Sequence, residues 1–139
     1  MLVGREFFDG VAAISNDWGS TWSSTIFSST ALSDVASWTS VTKITYYVAV
    51  AVTGDVFYTN NSGITWYYAP SPVEVSLFGV AVGSNGQDFA VGAAGKIYSS
   101  SNSSSFSVWS DISQNYTTSQ LNGVSTLDGV VGKLSLYMF

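Results

Sequence analysis

The side chains that could do acid–base chemistry in this chain are almost all carboxylates. Its 139 residues include nine acidic and four basic side chains, with no His and no Cys. Thiol chemistry, His-based triads and the common zinc sites are therefore excluded. Glycoside hydrolysis would need two facing carboxylates, one with a raised pKa, and the only two glutamates are Glu6 and Glu74. We expect solvated turn carboxylates at four Gly-flanked positions: Asp9, Asp55, Asp88 and Asp128.

Neither a metal site nor a phosphate site is predicted. Calcium is the one metal that oxygen ligands alone could hold, but the nearest candidate, Ser84–Asp88, lacks alternating ligands and a terminal Glu and is interpreted as a plain turn. Gly92–Lys96 has the glycines of a phosphate loop without its leading Gly or its Ser/Thr after Lys. The sequence therefore predicts no catalytic residue, no metal and no cofactor.

An internal repeat organises the chain. An eight-residue box occurs twice: a hydroxyl residue, Asp or Asn, Gly and Thr stand at its alternate positions, and Trp follows the Thr directly. A decayed third copy surrounds Asn102, 41 residues after the corresponding Asn of the second box. The first two copies are 44 residues apart. Box one contains Ser15, Asp17, Gly19, Thr21 and Trp22. Box two contains Thr59, Asn61, Gly63, Thr65 and Trp66.

The residue types of the box predict a tight turn. Asp17 or Asn61 can accept from backbone N–H groups further along the chain, as in an Asx-type turn. Gly19 and Gly63 allow the positive φ that such a turn requires. The hydroxyls can satisfy the remaining turn groups, and we expect Trp22 and Trp66 to be buried between sheets. The boxes are thus predicted to be structural.

Box one fits S-x-D-x-G-x-T-W at every position. The repeat resembles the Asp-box, or BNR, family of sialidase-like, sortilin-like and photosystem-assembly-factor-like β-propellers. The resemblance implies that each unit is a four-stranded blade with the box between its third and fourth strands. It also implies that a sialidase-like site would need three arginines, whereas this chain has only Arg5. We therefore expect no enzyme; a glycosidase-like activity is a distant alternative.

Composition and patterning predict an all-β fold of β-propeller type, built from four-stranded antiparallel blades. Ser, Thr, Val, Tyr and Trp favour strands, and the one helix candidate, Ser29–Trp38, lacks a 3.6-residue period and is expected to be a loop. We align Trp38–Val41 with Phe78–Ala81 as equivalent repeat positions. The predicted strands are Tyr46–Val52, Asp55–Tyr58, Phe78–Val82, Phe89–Val91, Lys96–Tyr98 and Val130–Leu136.

About three repeats of 41–44 residues fit in the chain, whereas closed propellers have about 4–8 blades. We expect an incomplete ring per chain, with a partial blade at 1–35, blades at 36–74 and 75–118, and strands at 119–139 that complete a blade, possibly of another chain. Leu121–Ser125 is expected to be a first strand. A homo-oligomer or polymer of the chain is the expected assembly, since open sheet edges need to be covered.

Aromatic side chains are the remaining candidates for ligand contact. Neighbouring residues on a strand point to opposite faces, so at least one tyrosine of each Tyr-Tyr pair can face a groove. Aromatic platforms among Ser and Asn suit sugars or peptides, although inter-blade core is the alternative. The candidate ligand surface comprises Trp18, Trp38, Tyr46, Tyr47, Tyr67 and Tyr68.

Two function classes remain: a non-catalytic binding or assembly module for a glycan or protein ligand, and a self-assembling structural subunit of a fibre, shell or surface appendage. A net charge of −5 argues against nucleic acid, and the longest apolar run, Tyr46–Val52, is too short to span a membrane. No signal peptide is visible in the chain. Its Ser/Thr-rich, weakly charged composition is typical of extracellular or surface-associated β-proteins.

Overall fold

The fold is described from a computed structural model, which covers residues 1–6, 9–69, 74–83, 87–101, 108–126 and 134–137. All regular structure in these residues is β-strand, apart from one 3-10 turn at Ala93–Gly95. The predicted all-β class is therefore confirmed. Every strand pairing in the described residues is antiparallel.

The strands form four sheets in chain order. Sheet A comprises β1 (Leu2–Glu6), β2 (Asp9–Ile14) and β3 (Ser23–Ser28). Sheet B comprises β4 (Leu32–Thr39), β5 (Thr45–Ala51), β6 (Val56–Thr59) and β7 (Tyr67–Ala69). Sheet C comprises β8 (Leu77–Val82), β9 (Asp88–Gly92), β10 (Ile97–Ser100) and β11 (Trp109–Asp111). Sheet D comprises β12 (Gly123–Thr126) and β13 (Leu134–Tyr137).

Consecutive sheets pack through their first strands. β1 contacts β4, β4 contacts β8, and β8 contacts β12. Within sheets B and C the four strands follow one another as a meander, so the connection between the first and second strands lies at the same end of each sheet as the connection between the third and fourth. Sheets B and C thus share one four-stranded arrangement, and sheets A and D, with three and two described strands, lie beside them.

Alternation along the strands divides the apolar residues between neighbouring cores. Val48 and Val50 of β5 face sheet C, where they join Val80, Ala90, Tyr98 and Trp109 in one buried cluster. Ala49 and Ala51 point the other way and pack with Phe57 and with Phe27 of sheet A. A third cluster, Val91, Ile97 and Leu121, joins sheet C to the segment that begins sheet D.

The expectation of a loop over Ser29–Trp38 is wrong, because most of this segment is strand β4. A register shift between Leu32 and Asp34 inserts an extra residue into the pairing with β5. Such a bulge interrupts the two-residue alternation by which a strand is identified in sequence. Sheet C has the same shift between Leu77 and Gly79.

This shared bulge also corrects the alignment of the repeats. Leu32 pairs with Ala51 and Leu77 pairs with Gly92, each at the end of the second strand of its sheet. Leu32 and Leu77 are therefore equivalent, and the alignment of Trp38–Val41 with Phe78–Ala81 is out of register. Leu121, which precedes β12 and is also buried, continues the series.

Candidate functional site: the two boxes and an aromatic row

Box one joins β2 to β3 through a closed set of hydrogen bonds. Ser15 Oγ donates to Asp17 Oδ1 (2.8 Å) and accepts from the Gly19 amide (2.7 Å). Asp17 Oδ1 also accepts from the Thr21 amide at 2.8 Å, and Oδ2 accepts from the Thr21 hydroxyl at 2.6 Å. Trp18 and Gly19 both have positive φ, 58° and 88°. The side chains of the box thus hold its own backbone.

Box two, between β6 and β7, repeats this geometry. Thr59 Oγ1 donates to Asn61 Oδ1 (2.8 Å) and accepts from the Gly63 amide (3.1 Å), while Asn61 Oδ1 accepts from the Thr65 amide at 2.9 Å. Ser62 and Gly63 have φ of 58° and 87°. A Cβ on Gly63 would meet the end of the Ile14 side chain of sheet A. Gly is favoured here by its positive φ, and its lack of a side chain leaves room for Ile14.

Both carboxylate oxygens of Asp17 accept hydrogen bonds within the turn. Its bonds to the hydroxyl and amide of Thr21 and to Ser15 lower the pKa of Asp17 to about 2. In box two the neutral Asn61 accepts the same two bonds through Oδ1, from the preceding hydroxyl and from the Thr65 amide. The turn thus requires an acceptor oxygen and not a charge.

The two box tryptophans differ in burial. Trp66 stacks on Phe27 of sheet A, with ring centroids 4.3 Å apart and planes 3° apart. Trp22 is 49% exposed and donates through Nε1 to Gly19 O at 3.1 Å. The expectation that Trp22 is buried between sheets is therefore wrong. Trp66 packs against sheet A, the sheet before its own, whereas no sheet in the described residues precedes sheet A.

Only part of the decayed third copy lies among the described residues. Asn102, its predicted acceptor, lies outside the described residues. Ser100, at the position of Thr59, is buried, and its Oγ has no hydrogen-bond partner in the described part of the chain. The turn bonds of the first two boxes are thus not seen at this Ser.

Four aromatic side chains form a row across sheet B. Trp38 and Tyr46 are cross-strand partners with stacked rings 5.3 Å apart. Tyr58 and Tyr67 are the equivalent pair on β6 and β7, 5.4 Å apart. All four alternate in phase with Val48, so the row lies on the face turned to sheet C. We call this set the aromatic row.

The other predicted ligand residues are placed elsewhere. Tyr47 lies on the opposite face of β5, with its ring 6.4 Å from that of Trp66. Tyr68 is exposed and meets Phe57 edge-on at 5.7 Å, and its hydroxyl donates to Asp55 at 3.2 Å. Tyr58, which sequence reasoning missed, belongs to the row. Its position in the sequence could have identified it: Tyr58 and Tyr67 directly flank the turn of box two, and residues that flank a hairpin turn face each other across the two strands.

Exposed apolar side chains gather on the loops at the box end of the sheets. Box two is tied to the β4–β5 turn, since the Ser62 amide donates to Thr45 O (3.0 Å) and the Thr45 amide to Ser62 Oγ (3.1 Å). Three large apolar residues on these loops are strongly exposed, and Ile44 is exposed to 39%. We define the box-end surface as Trp18, Val41, Ile44 and Ile64.

Two further carboxylates, Asp34 and Asp111, hold parts of the sheets together. Asp34 on β4 accepts from the amides of Val35 (2.8 Å) and, across to sheet C, Val80 (2.9 Å). Asp111 pairs with Lys96 at 2.6 Å, and its bonds to Lys96 and Ser113 lower its pKa to about 2. No group of three or more potential metal ligands occurs among the described side chains. Residues 84–86 of the calcium candidate lie outside the described chain.

Asp88 corrects a prediction. It was expected to be a solvated turn carboxylate, but it is the first residue of β9 and has an exposure of 0%. Burial raises its pKa to about 7. The strand starts at the acid itself, whereas the Gly two residues before it lies outside the described residues. Asp128, which was assigned to the same class, lies outside the described residues.

No family model matches the sequence, and no curated protein or solved structure shows significant similarity to it. Within the described residues, no helix combines the length and the apolar character needed to cross a bilayer.

Proposed function

We propose that the chain is a non-catalytic Asp-box β-propeller module for binding or assembly, in which each sheet is one blade. The observation that supports this most directly is the identity of the two boxes. Both join the last two strands of a sheet, and both use the same hydroxyl, the same acceptor oxygen and the same pair of positive φ values. The side-by-side first strands of successive sheets fit the same proposal.

The box-end surface is the proposed ligand face. Trp18 is fully exposed at the tip of box one, and Val41 and Ile64 project from neighbouring loops. Large apolar side chains on loop tips cost solubility and are a feature of interaction sites. A loop face carried by packed sheets is also a common place for recognition. A glycan or a protein is the proposed ligand.

We infer further that several copies of the chain associate. Sheet A is covered by sheet B on one face only among the described residues. Its other face carries Val11 and Ile26, which are cross-strand partners, and Ile26 is 58% exposed. An apolar sheet face of this kind is normally covered by another layer. A second copy of the chain is the proposed cover.

A self-assembling structural subunit is the second candidate, and one observation favours it. The outermost strand of sheet A, β3, is six residues long, has no charged residue and is exposed over Ser23–Ile26. Uncharged edge strands of this length can pair with a further strand. Repeated pairing would give an open-ended polymer instead of a closed oligomer.

Solution mass and a ligand screen test the proposal together. Light scattering coupled to size-exclusion chromatography should give a discrete oligomer for a module and a broad, concentration-dependent mass for a structural subunit. A glycan array, with an immobilised proteome array beside it, should then give ligands whose binding is lost in Trp18→Ser/Ile64→Ser. Tyr116→Ser is the matched control, since Tyr116 is equally exposed but lies after β11, outside the box loops. Turnover of aryl glycosides would contradict the non-catalytic proposal.

A further inference from the structure

Two polar side chains lie unpartnered in the core between sheets B and C. Asp88, at the start of β9, and Ser100, at the end of β10, are direct cross-strand neighbours. Both are buried, and Asp88 has no exposed surface. The two Asp88 oxygens and Ser100 Oγ find no hydrogen-bond partner in the part of the chain that the structure describes. Buried polar groups without partners are rare in native proteins and call for an explanation.

The surroundings of this pair are apolar. Cross-strand partners share a face of the sheet, and the residues next in phase with Asp88 and Ser100 are Ala90 and Tyr98. These residues belong to the cluster that packs sheet C against Val48, Val50 and Val56 of sheet B. The carboxyl of Asp88 therefore projects into the hydrophobic core between the two sheets.

No described cation is placed to neutralise Asp88. Lys96 is engaged with Asp111 on the exposed part of sheet C, and Lys43 lies on the exposed β4–β5 turn. The titratable side chains that share this face of sheet C or face it from sheet B are Asp34, Tyr46, Tyr58, Tyr67, Tyr98, Lys96 and Asp111. All but Lys96 are acids, and Lys96 is paired with Asp111 at 2.6 Å, so none of them is placed to offset an ionised Asp88.

We propose that Asp88, a buried carboxyl without a hydrogen-bond partner in the described chain, is a built-in pH switch whose ionisation weakens the packing of sheet C on sheet B. A neutral carboxylic acid can remain in an apolar core at modest cost, whereas an unpaired carboxylate cannot. The switch is a property of the fold and does not depend on which ligand the module binds.

Asp34 shows the contrast on the facing strand. It is partly buried and burial raises its pKa too, but it accepts hydrogen bonds from two backbone amides, and these oppose the shift. Asp88 has no such bonds, and burial alone raises its pKa to about 7 from a usual 3.8. The two aspartates in this core therefore differ in their hydrogen bonds: two backbone amides stabilise the ionised form of Asp34, and none stabilises that of Asp88.

The direction of the pH effect follows from linkage. Because the pKa of Asp88 is higher in the folded chain than in the unfolded one, the folded state binds the proton more tightly. Its contribution to stability is complete below about pH 4, declines as the pH rises, and is lost once the pH passes about 7. A shift of about three units corresponds to a decrease of up to about a thousand-fold in the folding equilibrium constant.

Urea unfolding of the full chain at several values between pH 4 and pH 8.5 tests the switch. We expect the unfolding midpoint to fall with rising pH in the native chain and to fall much less in Asp88→Asn. Asp34→Asn should still show a fall in the unfolding midpoint with rising pH, because Asp88 is unchanged in this variant. Asp111→Asn is the charge-matched control: it removes one negative charge from the same sheet, but Asp111 is ionised throughout this range because its pKa is about 2, so the slope should persist.

Two further measurements decide the matter if Asp88→Asn does not fold. Asp88→Leu should raise the unfolding midpoint at pH 8, because a buried unpaired carboxylate is replaced by an apolar side chain. In the native chain, the ¹³C resonance of the Asp88 carboxyl should titrate near neutral pH. A carboxyl resonance that titrates near pH 4, or a slope unchanged in Asp88→Asn, would overturn the proposal.

Discussion

Asp17 and Asn61 occupy the same place in the same turn, 44 residues apart. Each accepts the amide of the Thr four residues ahead through Oδ1, at 2.8 Å and 2.9 Å. Each also accepts from the hydroxyl two residues behind, at 2.8 Å in both boxes. The aspartate and the amide are thus interchangeable parts of one turn, and the box is recognised by its acceptor oxygen.

This relationship predicts how box one responds to substitution. Asp17→Asn should unfold at nearly the same temperature as the native chain at pH 7, since Asn61 shows that an amide completes the turn. Asp17→Ala should unfold at a lower temperature, because the Thr21 amide loses its acceptor. The low pKa of Asp17 adds a pH dependence: its contribution to stability is present above pH 4 and is lost as the pH falls towards 2. Equal melting of the two variants would contradict the role of the acceptor.

A matched pair of hydroxyl deletions tests the first position of the box. Thr59 Oγ1 accepts from the amides of Asn61 and Gly63 in a buried turn, so Thr59→Val should reduce the free energy of unfolding by about 1–3 kcal/mol. Ser100 stands at the same box position without a partner in the described chain, and Ser100→Ala should be neutral or slightly stabilising. Urea unfolding at pH 7 measures both. A larger loss for Ser100→Ala than for Thr59→Val would reverse the assignment.

The two box tryptophans give a second matched pair. Trp66→Ala removes the ring stacked on Phe27 between sheets A and B and should cost about 3 kcal/mol. Trp22→Ala removes a half-exposed ring and should cost well under half as much. Thermal or urea unfolding distinguishes the two. Similar costs would indicate that the exposed Trp22 is covered in solution, which would itself support association through sheet A.

The strand composition, the hairpin turns and the boxes were predictable because each depends on residues close in sequence. Asx turns and positive-φ glycines act over four or five positions, so Ser15 to Trp22 could be interpreted without any tertiary information. Five predicted strands, from Tyr46–Val52 to Lys96–Tyr98, coincide with β5, β6, β8, β9 and β10 to within two residues at each end. The sixth, Val130–Leu136, overlaps β13 in the described residues.

The features that depend on packing were not predictable. The bulge after Leu32 interrupts the alternation of inward and outward residues along β4, so the sequence pattern does not indicate a strand there. The strand is identified by its pairing with β5, in which Leu32 is opposite Ala51. The burial of Asp88 depends on sheet B covering sheet C. The residues next to Asp88 in the sequence, including a Gly two positions before it, carry no information about that packing. The exposure of Trp22 depends likewise on which sheet lies beside it.

The outer face of sheet A, which carries Val11 and the exposed Ile26, is the expected site of association between copies of the chain. Ile26 lies on β3 with its side chain 58% exposed and Val11 as its cross-strand partner, while the next residue, Phe27, packs towards sheet B. Ile26→Lys should leave the melting temperature of the dilute chain nearly unchanged, because the side chain is already largely in water. It should nevertheless reduce the mass in solution, since an interface that buries Ile26 would have to bury an unpaired ammonium group. Ile64→Lys, at the box end and more exposed still at 80%, is the control and should leave the mass unchanged. Light scattering on the native chain and both variants at matched concentrations measures this. An assembly that survives Ile26→Lys, or a native chain that is monomeric at every concentration, would show that this face is not the interface.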